Sequence, residues 1–275
     1  MIGTDYPGGK SRESWRVILE GDETLIATRR ESPLRANLEI KILTALGKHD
    51  VPSPKLIATT DWRLFFQEDI KGKRLSESLM FADELTAEKL LGQALSSLSL
   101  AQQAASKESL DLQVPLLGAK KDWIIDLLER PKPLAKFFKQ PRPDLDFKAL
   151  YQMLRVKQPR FVKWDSRPGN AIVREDGSVV WFDWEHAGAR NRLDDMAWLL
   201  GDEFVPNYPE VEARLIEKHL PSFADHKSLE EAKTYLSVYG TFHMLIRLEL
   251  ILKYKTRDDK KWWDIDYCIE KDKIG

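Results

Sequence analysis

An aspartate, an asparagine and a second aspartate stand in order in the runs Asp165-Ser166-Arg167-Pro168-Gly169-Asn170 and Phe182-Asp183-Trp184-Glu185. Carboxylate and amide oxygens are the donors that a hard cation such as magnesium prefers. A carboxylate within reach of a hydroxyl can also take or orient its proton. Together these are the requirements of phosphoryl transfer from a nucleoside triphosphate, where positioning and charge neutralisation do most of the catalytic work. On this reading Asp165 is the base or orienting carboxylate, and Asn170 and Asp183 hold the metal. The plainer alternative is an Asp-Ser turn followed by a Pro-Gly turn on the surface. Asp183, thirteen residues after Asn170, is what favours the chemical reading.

Those three residues can meet only if the intervening chain folds back. The runs "AIVR" and "VVWFD" flank Glu175-Asp176-Gly177-Ser178, and Asp-Gly between two apolar runs is a strong hairpin signal. "RFVKW" supplies a strand before the loop. Upstream, "SWRVILEG" and "TLIATRR" read as a hairpin. "LRANLEIKILTALGKHD" carries Leu34, Leu38, Ile42, Leu43 and Leu46 at helical spacing, with Gly47 as the stop. "KLIAT" and "RLFFQEDI" read as two further strands. From Thr86 the pattern turns helical, with a Thr-x-Glu opening and a stripe of Leu90, Leu91, Ala94, Leu95 and Leu98. "KKDWIIDLLER" and "DLDFKALYQMLRV" are helices separated by the proline-rich "RPKPLAKFFKQPRP". After Asp194 the chain reads as helical to its end.

The run "KWDSRPGNAIV…WFDWEHAG…DDMAWLL" resembles the aminoglycoside phosphotransferase and choline kinase-like family. Its members read His-Gly-Asp-x-x-x-x-Asn, then Ile-Asp-Trp-Glu-x-Ala-Gly, then Asp-Leu-Ala. The first motif falls on Asp165 and Asn170, the second on Asp183, Trp184, Glu185, Ala187 and Gly188, and the third on Asp195, Met196 and Ala197. "GGKSRESWRV" is similar to the family's nucleotide loop, which puts Gly8, Gly9 and Ser11 at the phosphates. The family's phosphate-binding cation falls on Arg29, with Arg30 one position away, and its carboxylate partner on Glu39. The connector "LFFQEDIKGKRL" would set the backbone of Gln67, Glu68 and Ile70 against the purine. Lys163 stands where the family has His. Lysine offers donors but no acceptor, so it is expected to pair with Asp183 or Glu185 or to contact a phosphate. Lys163 and Arg167 join Asp165 in the catalytic set. Glu185 and Asp195 are open to a purely structural role as caps of loop N–H groups.

The resemblance implies an α+β, two-lobed protein-kinase-like fold. A small β-rich lobe (1–70) binds nucleotide, and a larger helical lobe (71–275) carries the catalytic hairpin and the acceptor. It implies ATP or GTP with Mg2+, and transfer to a hydroxyl of a small acceptor, either an amine-bearing metabolite or an aminoglycoside-type antibiotic. A nucleotide-binding pseudokinase acting as a partner module is the alternative, supported only by Lys163. The C-terminal Trp262, Trp263 and Tyr267, interleaved with Asp264, Asp266 and Glu270, suit either a cage for a cationic acceptor or ordinary helix packing.

The totals agree with an enzyme of this kind. The chain has 275 residues and 43% hydrophobic content, enough for a sizeable core. Its 43 basic residues nearly balance 44 acidic ones, which argues against nucleic acid or a membrane surface as partner. The lone Cys268 excludes an internal disulfide and suits a reducing compartment. The opening residues lack a signal-peptide pattern. A cytoplasmic monomer or homodimer is expected.

Overall fold

The computed structural model describes residues 2–6, 14–60 and 63–258. It opens with β1 (Gly3–Asp5), β2 (Ser14–Ile18), β3 (Thr24–Arg29), helix α1 (Pro33–Leu46), β4 (Leu56–Thr59) and β5 (Leu64–Glu68). The strands form one antiparallel sheet in the order β1-β2-β3-β5-β4. The β2–β3 hairpin and the following two strands fall where the residue pattern puts them. Helix α1 buries Ile42, Leu43 and Leu46 but leaves Leu34 in solvent, so its apolar stripe begins one turn later than the spacing suggests.

A short connector leads to β6 (Lys73–Arg74), α2 (Leu75–Met80) and the long helix α3 (Glu84–Lys107). Thr86 does not open α3. Asp83 does, its side chain accepting the Thr86 N–H at 2.8 Å, because a carboxylate at the N-cap satisfies an orphan donor of the first turn. The α3 stripe of Leu90, Leu91, Ala94, Leu95 and Leu98 is buried throughout. At about 1.5–3 kcal/mol per fully buried leucine, this helix is the spine on which the rest of the C-terminal part is assembled.

The chain continues with α4 (Lys121–Leu128), α5 (Pro131–Phe137) and α6 (Phe147–Leu154). The proline-rich separator thus contains a helix: Pro131 sits in its first turn, where no N–H is needed. Next come β7 (Arg160–Val162), β8 (Ala171–Val173), β9 (Val179–Trp181), β10 (Gly188–Arg190), α7 (Leu193–Leu200), α8 (Pro209–Phe223) and α9 (Leu229–Asp258). The β8–β9 hairpin takes β6 as a third strand, and β7 pairs with β10. Its turn uses Gly177 at φ 81°, a left-handed position suited to glycine. Trp181 of β9 is fully buried and donates from its indole to the Ala94 carbonyl at 3.2 Å, fixing the hairpin to α3. No helix among the described residues is long and apolar enough to cross a membrane.

Candidate active site

Strand β7 ends at Val162, and the next three residues make a sharp turn. Trp164 and Asp165 both adopt left-handed backbone, with φ of 52° and 47°. Two consecutive non-glycine residues in that region cost roughly 1–3 kcal/mol each, so the surroundings must impose it. Asp195, fully buried in the first turn of α7, does so. Its carboxylate accepts the Lys163 and Trp164 N–H groups, both at 2.8 Å, and the Gln102 amide at 2.8 Å. The Ser166 hydroxyl donates to the Asp195 carbonyl at 2.9 Å. Burial raises the Asp195 pKa, and the bonds from Gln102, Lys163 and Trp164 draw it back.

Asp165 and Asn170 meet directly. The Asn170 amide nitrogen donates to the Asp165 carboxylate at 2.8 Å and to its carbonyl at 3.0 Å. Pro168–Asn170 form a single tight turn, and Arg74 of β6 donates to the Gly169 carbonyl at 2.5 Å. The hairpin then returns the chain, because Ala171 pairs with Trp181 and the Phe182 N–H donates to the Asn170 carbonyl at 3.1 Å. Asp183 is therefore delivered beside the Asp165–Asn170 turn, itself with φ 59°.

Asp183 is tied to the N-terminal sheet through Arg30. The guanidinium donates to the Asp183 carboxylate at 2.7 Å, to one Glu39 oxygen at 2.9 and 2.7 Å, and to Glu185 at 3.3 Å. The other Glu39 oxygen accepts the Trp184 N–H at 3.1 Å, and Arg35 of α1 reaches Glu185 at 3.3 Å. This places Arg30, not Arg29, opposite Glu39. Successive side chains alternate across a strand, and Arg29 points outward into solvent. Burial pushes the Glu39 carboxyl up to about 7 against the pull of Arg30. Burial also works against the Arg30 charge, but Glu39, then Asp183 and Glu185, outweigh it and hold its pKa above the usual arginine value.

Lys163 is only 1% exposed. Of its expected partners it takes Asp183, through the backbone carbonyl at 2.9 Å and not through the carboxylate. Its ammonium lies 5.3 Å from the Trp184 ring and 5.7 Å from the Trp181 ring. Burial lowers its pKa, and Asp165, Asp183 and Asp195 oppose that shift. Arg167 makes its hydrogen bonds to Asp202 at 2.7 Å and Glu203 at 3.1 Å, with the Asp165 charge near enough to help hold its guanidinium protonated, and Arg247 of α9 holds Glu203 as well. Its guanidinium thus ties the loop to the segment after α7.

Gln67 and Glu68 lie inside β5, paired with Ile26 and Leu25 of β3, and the Glu68 N–H is taken by the Lys55 carbonyl. The ladder therefore uses much of their backbone, and Asp69 and the buried Ile70 are the first residues beyond it. Asp69 fixes the connector by accepting from Arg16 at 2.7 Å, Thr24 at 2.6 Å and Lys71 at 2.5 Å. Residue spacing gave no sign of this clamp, since its donors are scattered from position 16 to 71. Gly8, Gly9 and Ser11 lie outside the described residues, as do Trp262, Trp263, Tyr267 and Cys268. Beside Asp165 runs an aromatic row that the spacing also did not reveal. Trp123, Trp164, Trp198 and His243 follow one another with ring centroids 6.3, 5.5 and 4.3 Å apart.

The arrangement offers a hydrogen-bonded carboxylate, two further oxygen donors at the ends of one hairpin, and a buried cation bridging the two parts of the chain. Residues 3–230 match the model of the phosphotransferase enzyme family (APH). Similar solved structures include a GDP complex of an aminoglycoside 2'-phosphotransferase-IIIa variant. It is 17% identical over 99% of this chain and 92% of that one, with a TM-score of 0.65. An ADP-bound aminoglycoside phosphotransferase APH(2'')-Ib matches at 15% identity over 99% and 94%, with a TM-score of 0.58. Choline kinase LicA from Streptococcus pneumoniae matches at 12% identity over 99% and 93%, with a TM-score of 0.50. At these identities the likeness establishes the kinase-like α+β fold. A comparison with curated proteins returned no match.

Proposed function

The chain belongs to the phosphotransferase enzyme family, and from that premise we propose that it transfers the γ-phosphoryl group of ATP or GTP to a hydroxyl of a small amine-bearing acceptor. The observation that carries this reading is the junction of Asp165, Asn170 and Asp183. The first two are hydrogen-bonded at 2.8 Å, and the hairpin returns the third to the same end. Asp165 accepts or orients the acceptor's hydroxyl proton. Arg30, oriented by Glu39, meets the phosphates with a forked donor set. Gly8, Gly9 and Ser11 complete the phosphate cradle on the strength of the sequence alone. The lobe boundary falls near residue 70, at the connector that Asp69 clamps.

The donor set fits magnesium. Asp165 uses the Asn170 amide nitrogen, which leaves the amide oxygen for a cation. Arg30 bonds one Asp183 oxygen, which leaves the other. A carboxylate and an amide oxygen, completed by phosphate oxygens and water, are what Mg2+ takes in nucleotide sites. When bound, the ion neutralises phosphate charge as it develops. The neighbouring structures with bound GDP and ADP support nucleotide as donor. The aminoglycoside and choline enzymes among them support an acceptor bearing both amine and hydroxyl groups.

The test is transfer from γ-labelled ATP and GTP to a panel of aminoglycosides and amino alcohols. We expect one acceptor class to take label with magnesium present. Asp183→Ala should remove transfer, and Asp165→Asn should lower kcat by about 10²–10⁴-fold. Unchanged turnover in folded Asp183→Ala would refute the assignment.

A further inference from the structure

Trp164 stands immediately before Asp165 in left-handed backbone, with φ 52°. Glycine takes that conformation freely, whereas a bulky aromatic residue does so only at a cost. The family's motif reads His-Gly-Asp here, so this chain sets an indole where the motif has its glycine. The indole is not sunk in the core. Trp164 is partly exposed, and so are Trp123 of α4 and Trp198 of α7. The rings of the three make one tilted row, with interplanar angles of 53° and 55°. Three partly exposed tryptophans from three separate parts of the chain thus meet beside Asp165, and a contiguous apolar shelf of that kind is a binding surface.

The shelf already has its cation. Arg190 is 1% exposed and pairs with the fully buried Asp194 at 2.6 Å. Its guanidinium carbon lies 4.3 Å from the Trp123 ring centroid, 5.3 Å from that of Tyr239 and 5.9 Å from that of Trp164. Asp194 is held in turn by the Tyr235 hydroxyl at 2.8 Å, so the pair is anchored from both sides. The cation seat of Trp123 and Trp164 is filled from within the protein, and a second cation over the same rings would meet a fixed positive charge. What Trp164 still offers is flat apolar area. The CH face of a hydroxylated ring matches it, apolar at the centre with hydroxyls at the rim to reach Asp165. An open-chain amino alcohol has no such face.

We propose that Trp164 is an acceptor-specificity residue, the stacking floor for the ring that carries the reacting hydroxyl, so that the acceptor is a cyclic polyol and any amine it bears is held away from these tryptophans. This rests on the reading of Asp165 as the carboxylate that orients the acceptor hydroxyl. Stacking is shared by the bound acceptor and the transition state, so its loss raises KM and leaves kcat nearly unchanged.

The experiment compares wild type, Trp164→Leu, Trp164→Phe and Asp183→Ala as full chains. Transfer from γ-labelled ATP and GTP is measured to ring acceptors (kanamycin, glucosamine and inositol) and to open-chain ones (choline and ethanolamine), with thermal melting and the KM for nucleotide alongside. A ring acceptor should take label in preference to both open-chain compounds. Trp164→Leu should raise the KM for that ring at least about tenfold, the loss expected for about 60 Å2 of apolar face, while kcat and the KM for nucleotide stay within about threefold. Trp164→Phe keeps a ring and should recover most of the loss; it also takes the place of the leucine variant, with a smaller rise in KM, if that protein does not fold. An acceptor KM within about twofold of wild type in the folded Trp164 variant, or label passing only to choline or ethanolamine, would overturn this proposal and leave phosphoryl transfer standing. A Trp164→Leu protein that melts lower and loses kcat at an unchanged acceptor KM marks the indole as merely structural, which also sinks the proposal. Absence of label on every acceptor, or undiminished transfer by Asp183→Ala, would remove the phosphotransferase reading and this proposal with it.

Discussion

Replacing Asp195 by alanine should both destabilise the protein and disable the Asp165 turn. The Asp195 carboxylate receives two backbone N–H groups, Lys163 and Trp164 at 2.8 Å, and the Gln102 amide at 2.8 Å. Alanine leaves these donors without an acceptor in a buried setting, at about 1–3 kcal/mol for each unsatisfied group. Against that, the variant no longer buries a carboxylate whose pKa burial has raised. The net loss is about 2–4 kcal/mol, in the upper part of what single substitutions cost when they leave buried donors unpaired. For a chain of this size that corresponds to a fall in Tm of roughly 5–15 °C. The Asp165 turn then has little to hold Trp164 and Asp165 at positive φ, and a misplacement of about 1 Å can cost 10²-fold in rate. Asp195→Asn retains one acceptor oxygen but turns an amide toward an N–H, and should fall between the two. Melting followed by circular dichroism and initial-rate kcat are the assays. An alanine variant that melts within about 2 °C of wild type and keeps its kcat would refute the claim that Asp195 imposes the turn.

Three further outcomes are expected. Arg30→Ala should abolish transfer, whereas Arg29→Ala should leave kcat within a fewfold of wild type, because only Arg30 reaches Glu39 and Asp183; equal effects in steady-state assays would show that the pairing is irrelevant. Gly72→Ala should destabilise by about 2 kcal/mol or more, read by urea unfolding, since Gly72 has φ 145° and an added Cβ would strike the Val173 carbonyl. Glu39 carries a folded-state pKa of about 7, raised by burial above the unfolded value near 4.5. The folded state then binds that proton more tightly, so the Glu39 contribution is fully present below about pH 4.5 and is lost as pH rises through about 7. The stability of wild type relative to Glu39→Gln should decline across that window, and urea unfolding that gives a flat difference would contradict the assignment.

The sequence by itself determined the elements and the order of the chemistry. Period-two and helical patterns over 14–46 and 86–105, the Asp-Gly turn at 176–177 and the Asp165…Asn170…Asp183 spacing are local properties, and local propensity writes them into neighbouring residues. The family and its kinase-like fold followed from the resemblance of the runs around Asp165, Asp183 and Asp195 to that family's motifs. Local signals misjudged choices only one or a few residues apart, such as Asp83 over Thr86 as the cap of α3. They also missed a helix begun by Pro131 and the pairing of β6 with the hairpin. The site depended on more distant contacts. Whether Arg29 or Arg30 faces Glu39 depends on the register of β3 against β5 and on where α1 packs, and neither is visible in a run of charges. That Asp195 holds the turn, that Asp69 clamps the connector and that Lys163 reaches a carbonyl twenty residues away are long-range facts. Each joins groups that are strangers in the chain and neighbours only in the core, where a buried polar atom must find a partner and tertiary packing decides which one it finds.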